Sequence, residues 1–341
     1  MVLLRPLGVA FLLLLASCWT PVYKQDLSVA ATIRDKLRFD SEMTTSNFGN
    51  NTNEPNFYQA FQSYDSSVMV ILDSTQHSVA EFLSNNYTNL DFPLPDESMV
   101  VAQPSMGAVG WLVPTLTNGT NGRGLVRRST ATGASPDSVP FLTAQTSPVT
   151  DLIGFCTTID DSMNASAFYL TKTTSSGVVT VTLSQDNSTN LSPTATTTLF
   201  SVTDATAAMG WMAVNLAGTN GATVYLSHAP DSSGNYVTEV LDSDGQVTRW
   251  EGKDHVVAFL STNRLLTREG SYYNVSDSSG NILYSFPGGT LQFAGEYVDA
   301  AGEPMRSRFS EALPISSNNG GNDKLRIRYY SIETSKLDSL Q

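Results

Sequence analysis

The chain has 341 residues, 40% hydrophobic and 15% charged, with a net charge of −13 from 19 Lys and Arg against 32 Asp and Glu. That length can bury a substantial core as one large domain or two. The acidic balance is spread along the chain without a block, which argues against nucleic acid and anionic membrane surfaces as partners, since both select clustered Lys and Arg. Arg127-Arg128 and the Arg326, Arg328 pair are too small to reverse this.

The first element is an export signal. Arg5 supplies a positive charge, and Leu7 to Ala16 form an apolar run of ten residues, half of the roughly twenty that a spanning helix needs. The run ends in Leu15-Ala16-Ser17-Cys18. Here the chain resembles bacterial lipoprotein precursors, whose lipobox is a Leu, two small residues and the Cys that becomes the mature first residue. The resemblance covers about the first eighteen residues and matches at all four lipobox positions. It implies that residues 1–17 are a signal peptide and that Cys18 carries a diacylglyceryl group and an acyl chain such as palmitate. The protein is then expected in a bacterial cell envelope, periplasmic or surface-exposed, held to the membrane through Cys18. Each buried methylene contributes roughly 0.8 kcal/mol, so two or three chains anchor firmly where one does not. The alternative is an ordinary cleaved signal and a soluble secreted product. Cys156 is the one other cysteine, so lipidation of Cys18 leaves no disulfide framework. In the run LIGFCTTI, Cys156 reads as a small buried hydrophobe.

Residues 18–60 read as a lipid tether and irregular segment. Ser28 to Phe39 (SVAATIRDKLRF) has the pattern of a short helix, and the SEMTTSNFGNNTNEPN that follows has little to bury.

Residues 61–333 are organised by a repeated hairpin. Gly110–Val126 reads GWLVPTLTNGTNGRGLV, and Gly210–Leu226 reads GWMAVNLAGTNGATVYL. The same spacing of thirteen, from an aromatic to the next apolar run, recurs from Phe155 to Phe168 and from Phe259 to Tyr272. It fits more loosely from Phe293 to Arg306 and most loosely from Met69 to Phe82. Third strands are expected at Val178, Tyr236 and Ile282, two of them preceded by the turn DSSGN, at Asp231 and Asp277. Gly and Asn reach the positive φ that tight hairpins demand. A period near 45 residues with strands in every repeat is the pattern of an all-β β-propeller, of six or alternatively seven blades. Tandem β-sandwiches of about 100 residues are the other architecture compatible with the Trp111 to Trp211 distance. The 34-residue step from Phe259 to Phe293 looks one strand short. KLRIRYYSI, Lys324 to Ile332, alternates as a half-buried strand and is expected to close the ring in one blade with chain from near residue 60. Residues 334–341 read as a frayed tail.

Chemistry is sparsely written. His77, His228 and His255 have no metal-ligand spacing, and neither a nucleophile elbow nor a P-loop occurs. Asp242, Asp244, Gly245 and Glu251 fall at the third, fifth, sixth and twelfth positions of a calcium loop, but its first ligand position is Val240. Asp-Gly between two strand patterns is better read as a hairpin turn. No cofactor is implied. Trp111 and Trp211 follow glycines on equivalent strands; they offer a stacking platform for a ligand or, more simply, packing between neighbouring sheets. The sequence therefore points to a membrane-anchored binding or scaffolding module for a protein or polysaccharide partner. The alternative is a propeller enzyme acting on an extracellular polymer from an acidic site assembled across blades.

Overall fold

The computed structural model describes residues 33–44, 149–159, 165–186, 197–315 without 204, 207, 209, 217–220, 229 and 301, and 324–341, together with seven further strands between residues 57 and 139. The first strand is β1 (Arg38–Thr44). Next come β2 (Phe57–Gln62), β3 (Val68–Asp73), β4 (Ser78–Leu83) and β5 (Asn86–Asn89), then β6 (Gly110–Thr115), β7 (Gly124–Ser129) and β8 (Asp137–Val139). A third run is β9 (Val149–Ile159), β10 (Ala165–Ser175), β11 (Val178–Asp186) and β12 (Thr197–Val202). The fourth is β13 (Gly210–Asn215), β14 (Thr223–His228), β15 (Tyr236–Asp242) and β16 (Val247–Gly252). The fifth is β17 (His255–Leu260), β18 (Arg264–Glu269), β19 (Tyr272–Ser276) and β20 (Ile282–Pro287). Last come β21 (Gln292–Tyr297), β22 (Arg306–Ile315), β23 (Lys324–Glu333) and a 3₁₀ turn, Thr334–Leu340.

Each run forms its own antiparallel meander, and the last borrows β1 to read β1-β23-β22-β21. The first strand of one sheet lies beside the first strand of the next: β9 by β13, β13 by β17, β17 by β21, and β21 by β2. First strands lining an axis, with each meander running outward, make a β-propeller. The innermost strands are buried on both faces, and their sequence shows it: Met212, Ala213 and Val214 of GWMAVN are consecutive and all buried. One face of the β13–β16 sheet (Met212, Val214, Val224, Leu226, Leu241) meets Ile153, Phe168, Leu170, Val181 and Leu183 of the preceding sheet. The other face puts Ala213 and Tyr225 against Val256 and Leu265 of the following one. No sheet can cover both its faces alone, so stacking around the axis is what stabilises each.

The recurrent aromatics fall where the spacing predicts. Trp111, Phe155, Trp211, Phe259 and Phe293 all lie on the first strand of a sheet. Gly210 precedes Trp211 because any Cβ there would collide with the carbonyl of Ser227 on β14. Both DSSGN segments are hairpin turns, and DSDGQ at Asp242 repeats the same bonding. In each, the Asp Oδ1 accepts from the backbone N–H two and four residues on, and the fourth residue, Gly234, Gly245 or Gly280, has φ of 78°, 80° or 85°.

Several expectations need correcting. Met69 is on β3, a second strand, because its spacing of thirteen spans β3 and β4 while the first strand is β2. Tyr272 opens a third strand rather than a second, because β18 fits between it and Phe259, and Ile282 opens a fourth rather than a third. The Phe259–Phe293 step is not short, since turns at Asn263 (φ 59°), Gly270 and Gly280 fit four strands between His255 and Pro287. Within Ser28–Phe39, only Ile33 and Arg34 are helical among the described residues, and Arg38 onward is β1, so the ring closes through residues 38–44 and not through chain near residue 60. The tail is not frayed: Leu337 and Leu340 are buried against Leu260, Phe286 and Tyr330, and Lys36 Nζ donates to the carbonyls of Ser339 and Gln341 at 2.9 and 3.0 Å.

Candidate functional site

The boundary between the β13–β16 and β17–β20 sheets carries the feature that packing does not explain. A cavity of about 170 Å³ opens there, lined by Thr238, Trp250, Glu251 and Gly252 of the first sheet, by Asp254 of the connection, and by Val256, Leu265, Thr267, Ser276, Ser279, Gly280 and Asn281 of the second. Strand alternation explains the lining. Thr238 and Trp250 are cross-strand partners on the face turned towards β17–β20, while the outward DSSGN turn at Asp277 brings Ser279 to Asn281 across to meet them. Gly280 lies against the six-membered ring of Trp250, where a Cβ would come within 3.0 Å.

Hydrogen bonds fix the walls. The Ser227 hydroxyl pairs with Thr238 at 2.6 Å and accepts the Val256 N–H at 3.0 Å, while the Tyr225 hydroxyl donates to the Ser278 carbonyl at 3.0 Å. Both latter bonds cross between sheets. Thr267 donates its hydroxyl to Asp254. Glu251 is exposed and lies across from Val237, on the face of β16 opposite Trp250. The lining residues include no Lys, Arg or His, and Asp254 brings the one carboxylate that strand alternation does not turn to the other face.

At the start of the same strands lies an aromatic group. Trp211, half-buried on β13, meets Tyr236 edge-on at 5.7 Å and His255 at 4.7 Å, and Tyr236 lies 5.1 Å from His255. Burial lowers the His255 pKa to about 4, helped by nearby Arg268 and opposed by Asp254, so the ring is neutral at pH 7.

On the opposite face of the β13–β16 sheet, Glu239 is fully buried. Its Oε1 accepts from the Thr206 backbone and hydroxyl at 2.8 and 2.7 Å and from Arg249 Nε at 3.0 Å. His228 Nε2 stands 3.0 Å from Oε2, a close approach whose alignment is too poor for a full hydrogen bond. Burial alone would raise the Glu239 pKa, but these contacts outweigh it and hold the carboxyl at about 2. The group ties the loop around Thr206 to the sheet. Cys156 is buried, and burial pushes its thiol pKa far up, which makes it inert as a nucleophile.

The sequence candidates are scattered. Cys18, the signal peptide and the side chain of Trp111 lie outside the described residues. Asp242 commits Oδ1 to its own turn, whereas Glu251 pairs with Val237 at the far end of the β15–β16 hairpin, so the calcium-loop residues are not brought together. Among the described residues, no three of His, Cys, Asp and Glu could share a metal ion, and no helix is long and apolar enough to cross a membrane. Of the stacking candidates, Trp211 is engaged by Tyr236 and His255. Trp250, which sequence reasoning passed over, is the tryptophan that faces a cavity. No linear motif marks it; the lining is assembled across five strands and a turn.

No protein-family model matches the chain, and no curated protein matches it in sequence. Solved structures with a similar overall course include an N10 neuraminidase-like protein of A/little yellow-shouldered bat/Guatemala/060/2010, 11% identical over 87% of this chain and 99% of that one, with a TM-score of 0.40. Others are the calcium-binding protein regucalcin from Agrobacterium tumefaciens str. C58 (13%; 80% and 90%; 0.38) and the β-propeller domain of Myceliophteria thermophila Cps50 (Swd1) (11%; 81% and 84%; 0.37). Likeness at this level transfers no activity. The architecture rests on the sheet topology and the function on the site.

Proposed function

We propose that the protein is a lipid-anchored, extracytoplasmic binding module whose propeller holds a polysaccharide at the cavity between the β13–β16 and β17–β20 sheets. The observation that carries this reading is the cavity itself, which has hydroxyl, amide and carboxylate groups around one indole wall. Such a lining suits a ligand that offers many hydroxyls and weakly apolar ring faces. Its volume is below the range of about 300–1,000 Å³ usual for drug-sized ligands, so it takes a single sugar ring of a longer chain. The anchor is supported by the Leu15-Ala16-Ser17-Cys18 match.

A hydrolytic reading is weaker: glycoside hydrolysis uses a carboxyl pair, and of Glu251 and Asp254 beside the cavity, Glu251 is on the face of β16 opposite Trp250. Asp254 is moreover already bonded by Thr267. A glycan array probed with the purified protein, followed by titration of the best oligosaccharide into wild type and Trp250→Ala, tests the binding reading. Binding that Trp250→Ala abolishes supports it; an array with no hits, or turnover of a bound oligosaccharide, refutes it. Intact mass spectrometry of membrane-extracted protein should show a diacylglyceryl addition on Cys18. An unmodified Cys18 thiol refutes the anchor.

A further inference from the structure

We infer that Tyr236 and Trp211 form a second subsite, so that the ligand is a chain of several sugars laid across the β13–β16 sheet from the cavity towards the axis. This rests on the polysaccharide reading above and adds the length and course of what is bound. Trp211, Ser227, Thr238 and Trp250 are successive cross-strand partners on β13, β14, β15 and β16. Cross-strand partners share a face, so one row begins with an indole on the innermost strand and ends with an indole on the outermost. The middle of the row is shut, because Ser227 is fully buried and accepts the Val256 N–H. A ligand joining the two indoles therefore passes beside the row, on the side of Tyr236. This residue lies two before Thr238 on the same face, opposite Gly252, which itself lines the cavity. A Cβ on Gly252 would meet only Asp254, its Oδ1 at 2.8 Å, so no bulky side chain separates the cavity from the tyrosine. Tyr236 in turn meets Trp211 edge-on at 5.7 Å. The course from β16 to β13 crosses three strand spacings, about 14 Å, more than one sugar ring covers.

Core packing does not account for the chemistry along this course. Trp211, Tyr236 and Trp250 are each half-exposed, and neither the two indole N–H groups nor the Tyr236 hydroxyl has a hydrogen-bond partner among the described residues. An aromatic side chain with its polar end open offers a ring face and a hydrogen-bonding group together. A sugar presents the complement of both, a weakly apolar face and a rim of oxygens. His255 stands 4.7 Å from Trp211 and 5.1 Å from Tyr236, tilted by 38° to each, so it braces the two rings without lying flat on either. Braced rings lose little freedom when a ligand stacks on them. Once one sugar is seated in the cavity, contact of the same chain with Tyr236 and Trp211 is intramolecular and gains from the high effective concentration.

The test is calorimetric titration of the full-length protein with cellohexaose, chitohexaose, maltohexaose and mannohexaose, and with the disaccharide of each. The probes are neutral because the cavity lining includes no Lys, Arg or His. At least one hexasaccharide is expected to bind about thirtyfold more tightly than its own disaccharide. Tyr236→Ala, with its melting curve checked, should cut that advantage to about threefold, whereas Tyr236→Phe, which keeps the ring face, should retain most of it. A hexasaccharide that binds no better than its disaccharide, or that keeps its full advantage in Tyr236→Ala, overturns the second subsite and leaves the polysaccharide reading intact. A folded Tyr236→Ala that no longer binds the disaccharide puts Tyr236 in the cavity's own subsite and likewise overturns the second. An intact protein that binds none of the eight probes overturns both readings.

Discussion

Two boundaries flank the β17–β20 sheet and are built from equivalent strands, yet one holds a polar cavity and the other is filled by apolar side chains. On the β13–β16 side, Thr238, Asp254, Thr267 and Ser276 surround a cavity. On the closing side, Leu260, Leu266, Tyr273, Val275, Phe286, Leu291, Phe293, Phe309, Tyr330 and Ile332 pack as one cluster. The difference comes from chain that is not part of any repeat. Ile33 and Leu37 enter the closing cluster from one terminus and Leu337 and Leu340 from the other, and Arg34 forms an ion pair with Glu311 at 2.8 Å. At that boundary the Tyr273 hydroxyl also accepts from Arg268, donates to the Leu291 carbonyl and accepts from the Phe293 N–H. Where the termini plug the boundary, the propeller is stabilised; where nothing plugs it, a ligand can enter.

The largest test removes the plug. Deleting residues 324–341 takes away β23, leaving β1 without its partner and β22 with a bare edge. The expected outcome is loss of cooperative unfolding in calorimetry. Leu337→Ala keeps the strands and removes only a filled position; it should lower stability by about 2–5 kcal/mol in denaturant titration. If the deletion melts like the full chain, the two boundaries do not differ in the way described.

Next come two groups that make stability pH-dependent. Glu239 is held at about 2 against 4.5 in the unfolded chain. It contributes fully above pH 4.5 and loses that contribution as pH falls towards 2. His255, buried at the boundary that holds the cavity, is lowered to about 4 from 6.5. Between these values the unfolded state binds the extra proton, so stability falls as pH drops from 6.5 to 4. Each shift corresponds to at most about 3–4 kcal/mol. Melting temperatures across this range should show two descending limbs. His255→Phe should flatten the upper limb and Glu239→Gln the lower, each leaving the other in place.

The repeat was legible because innermost strands are buried on both faces, which leaves runs such as GWMAVN, and because glycine marks their turns. Both boundaries were illegible for the same reason: their contents are non-local. β1 reads RFDSEMT, a charged edge strand whose Phe39 is exposed. It is held by Arg38 to Asp299 and by Arg328 to Glu42, partners more than 250 residues away. The tail TSKLDSL shows only Leu337 and Leu340 three apart. The cavity takes residues from 238 to 281, none of them in a motif, and the Asp242 to Glu251 spacing that looked like a metal loop is split by the β15–β16 hairpin.

A smaller effect sharpens the comparison at a single atom. Gly280 and Gly234 occupy the same place in identical DSSGN turns, with φ of 85° and 78°, but a Cβ on Gly234 would touch nothing within 4 Å. Gly234→Ala therefore reports backbone strain alone, about 1 kcal/mol. Gly280→Ala adds the collision with Trp250, and should cost about 1–2 kcal/mol more and weaken ligand binding at the cavity. Equal losses in the two variants would show that the turn is not pressed against the indole.

The smallest effect is expected at the third copy of that turn. Asp242 Oδ1 accepts two backbone N–H groups, so Asp242→Ala should lower stability by about 1 kcal/mol. Asp244 is exposed, and only its backbone N–H takes part in the turn, so Asp244→Ala should be within about 0.5 kcal/mol of wild type. Excess calcium should not raise the melting temperature of either variant or of wild type, because Glu251 is at the wrong end of the hairpin to complete a coordination sphere, and a ligand stabilises only the state it binds. A calcium-dependent rise of several degrees that vanishes in Asp244→Ala would place a metal at this turn, and would make the β13–β16 sheet, rather than its boundary, the ligand-bearing part of the propeller.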